Sequence, residues 1–505
     1  MSAVNYDLIV IGSGPSGQRA AVAAAKMNKR VAVVEARSVV GGVCINTGTI
    51  PSKTMREAVL HLSGYNYRSV YGMNYRVKEK ISMADLAFRV QAVIKTEVDV
   101  TEAQLSRNGI DVVHGMAHFV DPHHVRVEGP QTETTLESAR IIVAVGTRPA
   151  ASPKVPVNGR TIVNSDQILN LPELPRSLIV VGGGVVGVEY ACMFAVLGVR
   201  VTLIEKRNRL LEFADQEIIE ALSYHLRDSR VTLRLGEEVE SVEELTAHAS
   251  DKDPSLAAVV QAPGDKPPAL HSSDKPPSLG TPALGTVVAN LQSRKKVSGD
   301  ALLYAVGRQG NIDELNLSAA GLEADNRGRI PVDEHYQTKV EHIFAVGDVV
   351  GFPALASVSM EQGRIAAARA FNDKATSSNP SFYPYGIYTI PEISFIGKTE
   401  EQLTDEDVPY EVGMAYYRES ARGQIRGDTT GRLKMIFHRD TRKVLGVHII
   451  GEEASELVHI GQAVMILGGT VDYFIDTVFN YPTLAECYKV AAFNGLGRLH
   501  RYQSE

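Results

Sequence analysis

The chain has 505 residues, 44% hydrophobic and 22% charged, with a formal net charge of −7. That length exceeds one ordinary domain and points to about three, and the acidic balance argues against nucleic acid as a main partner, because no surplus of cations exists to neutralise phosphates. The three cysteines, Cys44, Cys192 and Cys487, lie far apart with no CxxC pair, which speaks against a disulfide framework or a structural zinc site and fits a reducing compartment.

The N-terminus, Met1 to Asp7, is short and polar, and the apolar stretch after it is too brief for a signal-peptide core. No apolar run approaches about 20 residues, so no membrane span is expected and the cytosol is the default compartment. Residues 6–11, YDLIVI, are apolar and β-branched, as a buried parallel strand should be. A glycine turn follows, then an alanine-rich helix over Gln18 to Met27 and a second strand at 31–35, VAVVE. The turn spaces Gly12, Gly14 and Gly17 as GxGxxG, and Glu35 closes the second strand. The first glycine permits the tight turn, the second lets a pyrophosphate approach the backbone, and the third lets helix pack on strand. The terminal acid is placed to accept hydrogen bonds from a ribose diol. In this strand–turn–helix–strand setting the pattern predicts a dinucleotide site.

Apolar residues at helical spacing predict helices over Ser52 to Leu62 and Met83 to Arg107. Strand-rich segments follow at 111–119, 124–128 and 140–145. The first module then recurs at 178–205: LIVV, a turn with Gly182, Gly184 and Gly187, a helix, and VTLIE ending at Glu205. First glycine and acid are 23 residues apart in both copies, so one chain should bind two dinucleotides. Glu205 favours a free 2′-hydroxyl, as in NAD(H); Lys206, Arg207 and Arg209 follow at once and could meet a 2′-phosphate, as in NADP(H). The mixed charge predicts tolerance of both, unless these bases are only a solvated loop. A helix over Gln216 to Ser229 and strands between 231 and 304 continue the module. Residues 246–285 interrupt it with seven prolines and two copies of DKPP. They read as a disordered or extended surface insert, either a tolerated loop or a polyproline contact for a partner. From about 384 a mixed strand and helix region runs to the end. The fourteen histidines fall into no metal-ligand spacing, and no metal is expected.

The stretch Gly41-Gly42-Val43-Cys44-Ile45-Asn46-Thr47-Gly48-Thr49-Ile50-Pro51-Ser52-Lys53 resembles the active-site segment of the pyridine nucleotide-disulfide oxidoreductases. Phe479 to Glu486, FNYPTLAE, resembles that family's HPTxxE motif, and 343–348, IFAVGD, its second FAD motif. Residues 141–146, IIVAVG, and 302–307, LLYAVG, resemble its crossings between nucleotide domains. Two positions depart from the disulfide reductases: Thr49 stands where the second redox cysteine belongs, and Tyr481 where the histidine belongs. That pattern, with GTIPSK (48–53), GIYTIPEIS (386–394) and HIGQA (459–463), is similar to the Si-specific NAD(P)+ transhydrogenases within the family.

The resemblance implies an α/β fold: two Rossmann-like domains for FAD and NAD(P), each a parallel sheet plus β-meander, and a C-terminal α+β dimerisation domain. The expected bounds are 1–153 and 305–379 for the FAD domain, 154–304 for the NAD(P) domain, and 380–505 for dimerisation. It implies one non-covalent FAD per subunit, held by Gly12, Gly14, Gly17, Glu35, Gly42, Cys44, Lys53, Gly146 and Asp348. NAD(P) falls to Gly182, Gly184, Gly187, Glu205, Lys206, Arg207 and Gly307. Lys53 and Glu189 match the pair placed near the flavin, where a cation stabilises the reduced ring. A homodimer or larger assembly is implied, with the Glu486 motif contributed across its interface.

A hydroxyl cannot form a disulfide, and a phenol with pKa near about 10 is a poor proton shuttle at neutral pH. Electrons therefore lack the family's dithiol exit. The candidate catalytic residues are Lys53, Glu189, Cys44, Thr49, Tyr481 and Glu486, the last four as the remains or replacements of that machinery. The expected reaction passes hydride from NADPH through FAD to NAD+, the two nucleotides taking turns at one module with ping-pong kinetics. Cys44 either tunes the flavin or forms a sulfenic acid, or is a small residue retained from the fold. Cys192 and Cys487 are expected in cores. Rival readings are a diaphorase with a quinone or other non-disulfide acceptor, a silent FAD-bearing scaffold, and a disulfide reductase pairing Cys44 with a thiol from elsewhere.

Overall fold

The computed structural model describes residues 3–130, 133–245, 286–373 and 382–504; the proline-rich insert, 246–285, lies outside the described residues. Two parallel five-stranded sheets repeat one order. In the first it is Ile343–Ala345, Ile141–Val143, Leu8–Ile11, Val31–Glu35, Asp111–His114. In the second it is Ile162–Asn164, Ala301–Tyr304, Ser177–Val181, Arg200–Glu205, Thr232–Leu235. The strand feeding each glycine turn is central, so both turns open above the middle of a sheet, where α/β folds bind ligands. These strands are apolar on both faces because helices and a meander cover them.

Each parallel sheet carries an antiparallel meander. Met116–Phe119, His124–Glu128 and Glu133–Ser138 pair beside the first. Val239–Leu245, Thr286–Leu291 and Lys296–Gly299 pair beside the second. Thr147–Pro149 and Arg308–Gly310 pair antiparallel where the chain leaves one domain and returns. A third five-stranded sheet, Tyr385–Ile387, Ile393–Gly397, Val444–Ile450, Arg432–His438 and Tyr410–Tyr416, is antiparallel throughout. Helices Ala454–Ile466 and Glu486–Ser504 pack on it. This α/β arrangement of two parallel sheets and a C-terminal α+β layer is the one expected.

Local differences from the sequence reading have physical causes. The first helix spans Pro15–Lys26 and starts three residues earlier than expected, directly behind the turn. Proline suits that first position, where its missing N–H would have had no partner. Likewise Thr49–Ser63 begins at Thr49. The segment 111–119 is two strands in two sheets, Asp111–His114 and Met116–Phe119. Gly115 breaks it where a Cβ would sit 2.7 Å from the Glu128 carbonyl. Helix Met83–Arg107 has the expected bounds, set by Ser82 and Asp85, which cap each other's backbone N–H. A short helix, Gly42–Asn46, starts behind Gly41, whose φ of 105° turns the chain into it, and no apolar periodicity signals so brief an element.

One core joins the three regions. Met55 and Val59 of Thr49–Ser63, Leu86 and Val90 of Met83–Arg107, and Val188, Cys192 and Phe194 of Val185–Val196 belong to one buried cluster that reaches Ile387 and Ile393 of the C-terminal sheet and Ile390 of the loop between them. Helix Val185–Val196 is apolar nearly all round because it is packed nearly all round. This packing sets the helix after the first glycine module against the helix of the second.

Candidate active site

The two glycine turns are built alike. Gly12 and Gly182 take φ of 108° and 111°, and a Cβ at either would meet a carbonyl, Ala144 or Ala305, at 2.4 Å. A Cβ on Gly17 or Gly187 would come within 2.0 or 1.9 Å of the Gly12 or Gly182 oxygen. At Gly14 and Gly184, by contrast, a Cβ would meet nothing within 4 Å. Each is the N-cap of the helix that follows. Open space against bare N–H groups and the positive helix end is what a dinucleotide pyrophosphate requires, so both cradles fit one.

Gly12, Gly14, Glu35, Gly42, Gly146 and Asp348 line the first cleft, with Cys44 and Thr49 at the same cavity. Gly17 lies beneath it. Glu35 is buried and accepts the Ser13 N–H at 3.1 Å, the Ser13 hydroxyl, and the Arg37 N–H at 2.9 Å. The Ser13 hydroxyl in turn accepts the Gly41 N–H at 2.9 Å. Burial pushes the Asp348 carboxyl above its usual range, against the pull of Arg308 and hydrogen bonds from Ser359 and Thr147.

Cys44 is partly buried, and Thr49 stands beside it at the first cleft. Burial pushes the Cys44 thiol up, only partly offset by Thr49 and Lys53. Cys192 and Cys487 are buried in cores away from this cleft, each pushed up to about 12 by burial.

Lys53 and Glu189 meet. The ammonium donates to both carboxylate oxygens, at 2.7 and 3.0 Å. Glu189 is almost wholly buried, and the Tyr388 N–H at 2.8 Å fixes its Oε1. The Tyr388 ring lies under the ammonium, 4.9 Å from Nζ to the ring centre. Lys53 lines a separate cavity with Arg56, Tyr388 and Glu392, between the first module's helix and the C-terminal region.

The second cleft is lined by Gly182, Gly184, Glu205, Lys206, Arg207 and Gly307, together with Val185 and Arg308. Gly187 and Glu189 lie on the helix beneath. Glu205 is buried and takes Gly183 N–H and the Arg207 backbone and guanidinium. Although burial opposes it, these donors hold the Glu205 carboxyl below its usual range. Arg209 is turned away toward Glu401 and the Glu212 carbonyl. Arg308 links the clefts: its Nε donates to the Thr147 hydroxyl at 2.8 Å and Nη2 to the Thr147 carbonyl at 2.7 Å, and that hydroxyl donates to Asp348 at 3.5 Å.

Tyr481 and Glu486 are not brought to either cleft within one chain. Tyr481 is 74% exposed, and Glu486 opens the last helix. Sequence reasoning missed Ser13, Thr147, Arg308 and Tyr388. Tyr388 lies inside the segment 386–394, but the hydrogen bond it gives Glu189 is from its backbone N–H, which leaves no residue-type signal, and its ring meets Lys53 only through the fold.

Residues 6–363 match the family described as "Pyridine nucleotide-disulphide oxidoreductase", and residues 383–492 match its dimerisation domain. A "Soluble pyridine nucleotide transhydrogenase" from Mycobacterium bovis is 50% identical over 98% of each chain. One of the same name from Marinobacter nauticus is 44% identical, covering 99% of this chain and all of its own. Among solved structures, the HOCl-induced flavoprotein disulfide reductase RclA from Escherichia coli superposes with a TM-score of 0.80 at 26% identity, over 97% of this chain and 99% of that one.

Proposed function

The chain belongs to the pyridine nucleotide-disulphide oxidoreductase family, and from that premise we propose an FAD-dependent transhydrogenase that moves hydride between NADPH and NAD+. Bound FAD supplies the hydride acceptor and donor that no side chain can provide. The first glycine module, with Glu35 and Asp348, holds that cofactor, and the second binds the nicotinamide nucleotides. Lys53 lines the neighbouring cavity but is close enough to the first cleft to lower the Cys44 thiol pKa, and it is the cation the chain offers to the flavin from behind that cleft. Glu189 and the Tyr388 N–H keep its ammonium from wandering, which favours negative charge on a reduced ring. We divide the chain at 153, 304 and 379, so that 1–153 and 305–379 form the flavin-binding domain.

The observation that carries this reading is Cys44 beside Thr49. The first cleft has one thiol, its neighbour is a hydroxyl, and the other two cysteines sit in cores. A dithiol relay needs two sulfurs within bonding reach. With one, a mixed disulfide formed with a substrate has no second thiol to release it, and the acceptor must come to the cofactor itself. A second nicotinamide ring can do so through the cleft that the first has left. The dimerisation domain makes the protein a homodimer or a larger assembly, with Tyr481 and Glu486 offered to the partner's cleft. No helix among the described residues is long and apolar enough to cross a membrane, and we place the protein in the cytoplasm.

Initial rates with NADPH and a thio-NAD+ acceptor test this reading. Double-reciprocal lines at several acceptor concentrations should be parallel, because one cleft serves both nucleotides in turn. Intersecting lines would refute a shared cleft. Turnover with quinones but none with thio-NAD+ would replace the reading with that of a diaphorase.

A further inference from the structure

A carboxylate offers about four lone-pair sites, and at Glu205 all four are taken. Oε2 accepts the Gly183 N–H at 2.5 Å and Arg207 Nη2 at 3.1 Å; Oε1 accepts the Arg207 N–H at 2.9 Å and its Nε at 2.8 Å. The two backbone donors, one in the glycine turn and one in the loop after the strand, stay in place. The other two belong to one guanidinium on a flexible stem, 39% exposed, with Glu212 in reach of its Nη1 at 3.7 Å. Lys206, beside it in the same cleft, is exposed and makes no hydrogen bond or ion pair among the described residues.

As it stands, the acid cannot receive a ribose diol. If the guanidinium swings off, one lone pair opens on each oxygen. Two acceptors side by side are what a 2′,3′-diol needs for its two O–H donors. A 2′-phosphate needs the opposite. It carries negative charge, so a bare carboxylate would repel it, whereas a carboxylate neutralised by Arg207 leaves the spare guanidinium N–H groups and Lys206 to bind it. Arg207, 39% exposed, can return its guanidinium to water as it leaves, while the buried Glu205 keeps its two backbone donors and gains the diol as its new partner.

We propose that Arg207 is a two-position switch, resting on Glu205 when the dinucleotide carries a 2′-phosphate and leaving it when the dinucleotide carries a 2′-hydroxyl. Resting on the transhydrogenase reading, the switch explains how one cleft accepts both reactants in alternation. A fixed base would reject one and a bare acid the other. Arg207 then sets specificity without touching the reacting atoms.

Calorimetric titration of the flavin-loaded dimer with ADP-ribose and with 2′-phospho-ADP-ribose tests it. Arg207→Met should weaken the phosphorylated ligand by about 10- to 100-fold, the loss of charge-assisted hydrogen bonds. The same variant should bind ADP-ribose about two- to five-fold more tightly, since no ion pair must open. Glu205→Gln should reverse the order, weakening ADP-ribose and sparing the phosphorylated ligand. Arg207→Lys, which keeps the charge but not the fork, should lie between, and serves if the methionine variant loses its flavin. Equal weakening of both ligands by Arg207→Met, or no change in either, would overturn the switch. Both titrations read binding alone. Failure of hydride transfer to thio-NAD+ would therefore sink the proposed function and leave this result standing.

Discussion

Glu35 and Glu205 end equivalent strands, 23 residues beyond equivalent glycines, and the two turns agree to within 0.1 Å in their closest approaches. What surrounds the two acids differs. Glu35 accepts from Ser13, by both N–H and hydroxyl, and from the Arg37 N–H. Those are groups of the turn and of the backbone just past the strand, and they leave about one lone pair for a ligand. Glu205 faces Gly183, where a Cβ would crowd Leu210 at 2.6 Å, and the place of the serine hydroxyl is filled by a movable guanidinium. A group held for the life of the protein can be met by fixed donors. One that leaves every turnover, and alternates between two chemistries, is met by a side chain that can step aside.

The harshest way to break this comparison is to fill both turns. Gly17→Ala puts a methyl 2.0 Å from the Gly12 oxygen and should yield protein without bound flavin, read from its visible absorbance. Gly187→Ala makes the same clash in the second turn at 1.9 Å. It should keep the flavin yet lose about 100-fold in reduction by either nucleotide, within the usual cost of overpacking. If the second variant also comes out colourless, the modules are not independent.

Next in size is the bridge between them. Lys53→Met strands Glu189 in a buried site and should cost about 3–5 kcal/mol of stability, seen as a fall in melting temperature. Lys53→Met with Glu189→Gln should recover much of it. Recovery absent, the loss would lie in packing.

Ser13→Ala tests the fixed acid. It removes the hydroxyl between Glu35 and the Gly41 N–H and should cost about 1–3 kcal/mol, measured as faster flavin release in mild denaturant. Nucleotide affinity should not change. An equal loss at the second cleft would show that the two acids are not held by separate sets of donors.

The smallest effect concerns Cys44. Its pKa is raised, chiefly by burial, so the reactive thiolate is scarcer at neutral pH than in a free cysteine. Alkylation by iodoacetamide should be slower than that of a free thiol at pH 7. It should accelerate only as pH rises beyond the ordinary thiol range. Fast alkylation at pH 7 would reveal an activated thiol.

The repeat of strand, turn, helix and acid was legible because glycine spacing and β-branched runs are local. So were the bounds of Met83–Arg107, which its cap fixes. Pairing across the fold was not. That Lys53 meets Glu189, 136 positions away, follows from the packing of three helices and could be stated beforehand only through the family resemblance. The Tyr388 N–H and the Thr147–Arg308 link are backbone and crossover geometry, invisible to residue type. Arg207 was visible as a base beside an acid. Its return onto Glu205 depends on a loop conformation that spacing does not encode.

The account turns on where reducing equivalents can go once the dimer holds them, and double-mixing stopped flow asks this directly. Enzyme reduced by one equivalent of NADPH without oxygen is mixed in parallel with thio-NAD+, lipoamide and glutathione disulfide. The account predicts rapid return of the oxidised flavin spectrum with thio-NAD+ and none on that timescale with either disulfide. Reoxidation by a disulfide as fast as by thio-NAD+ would contradict it.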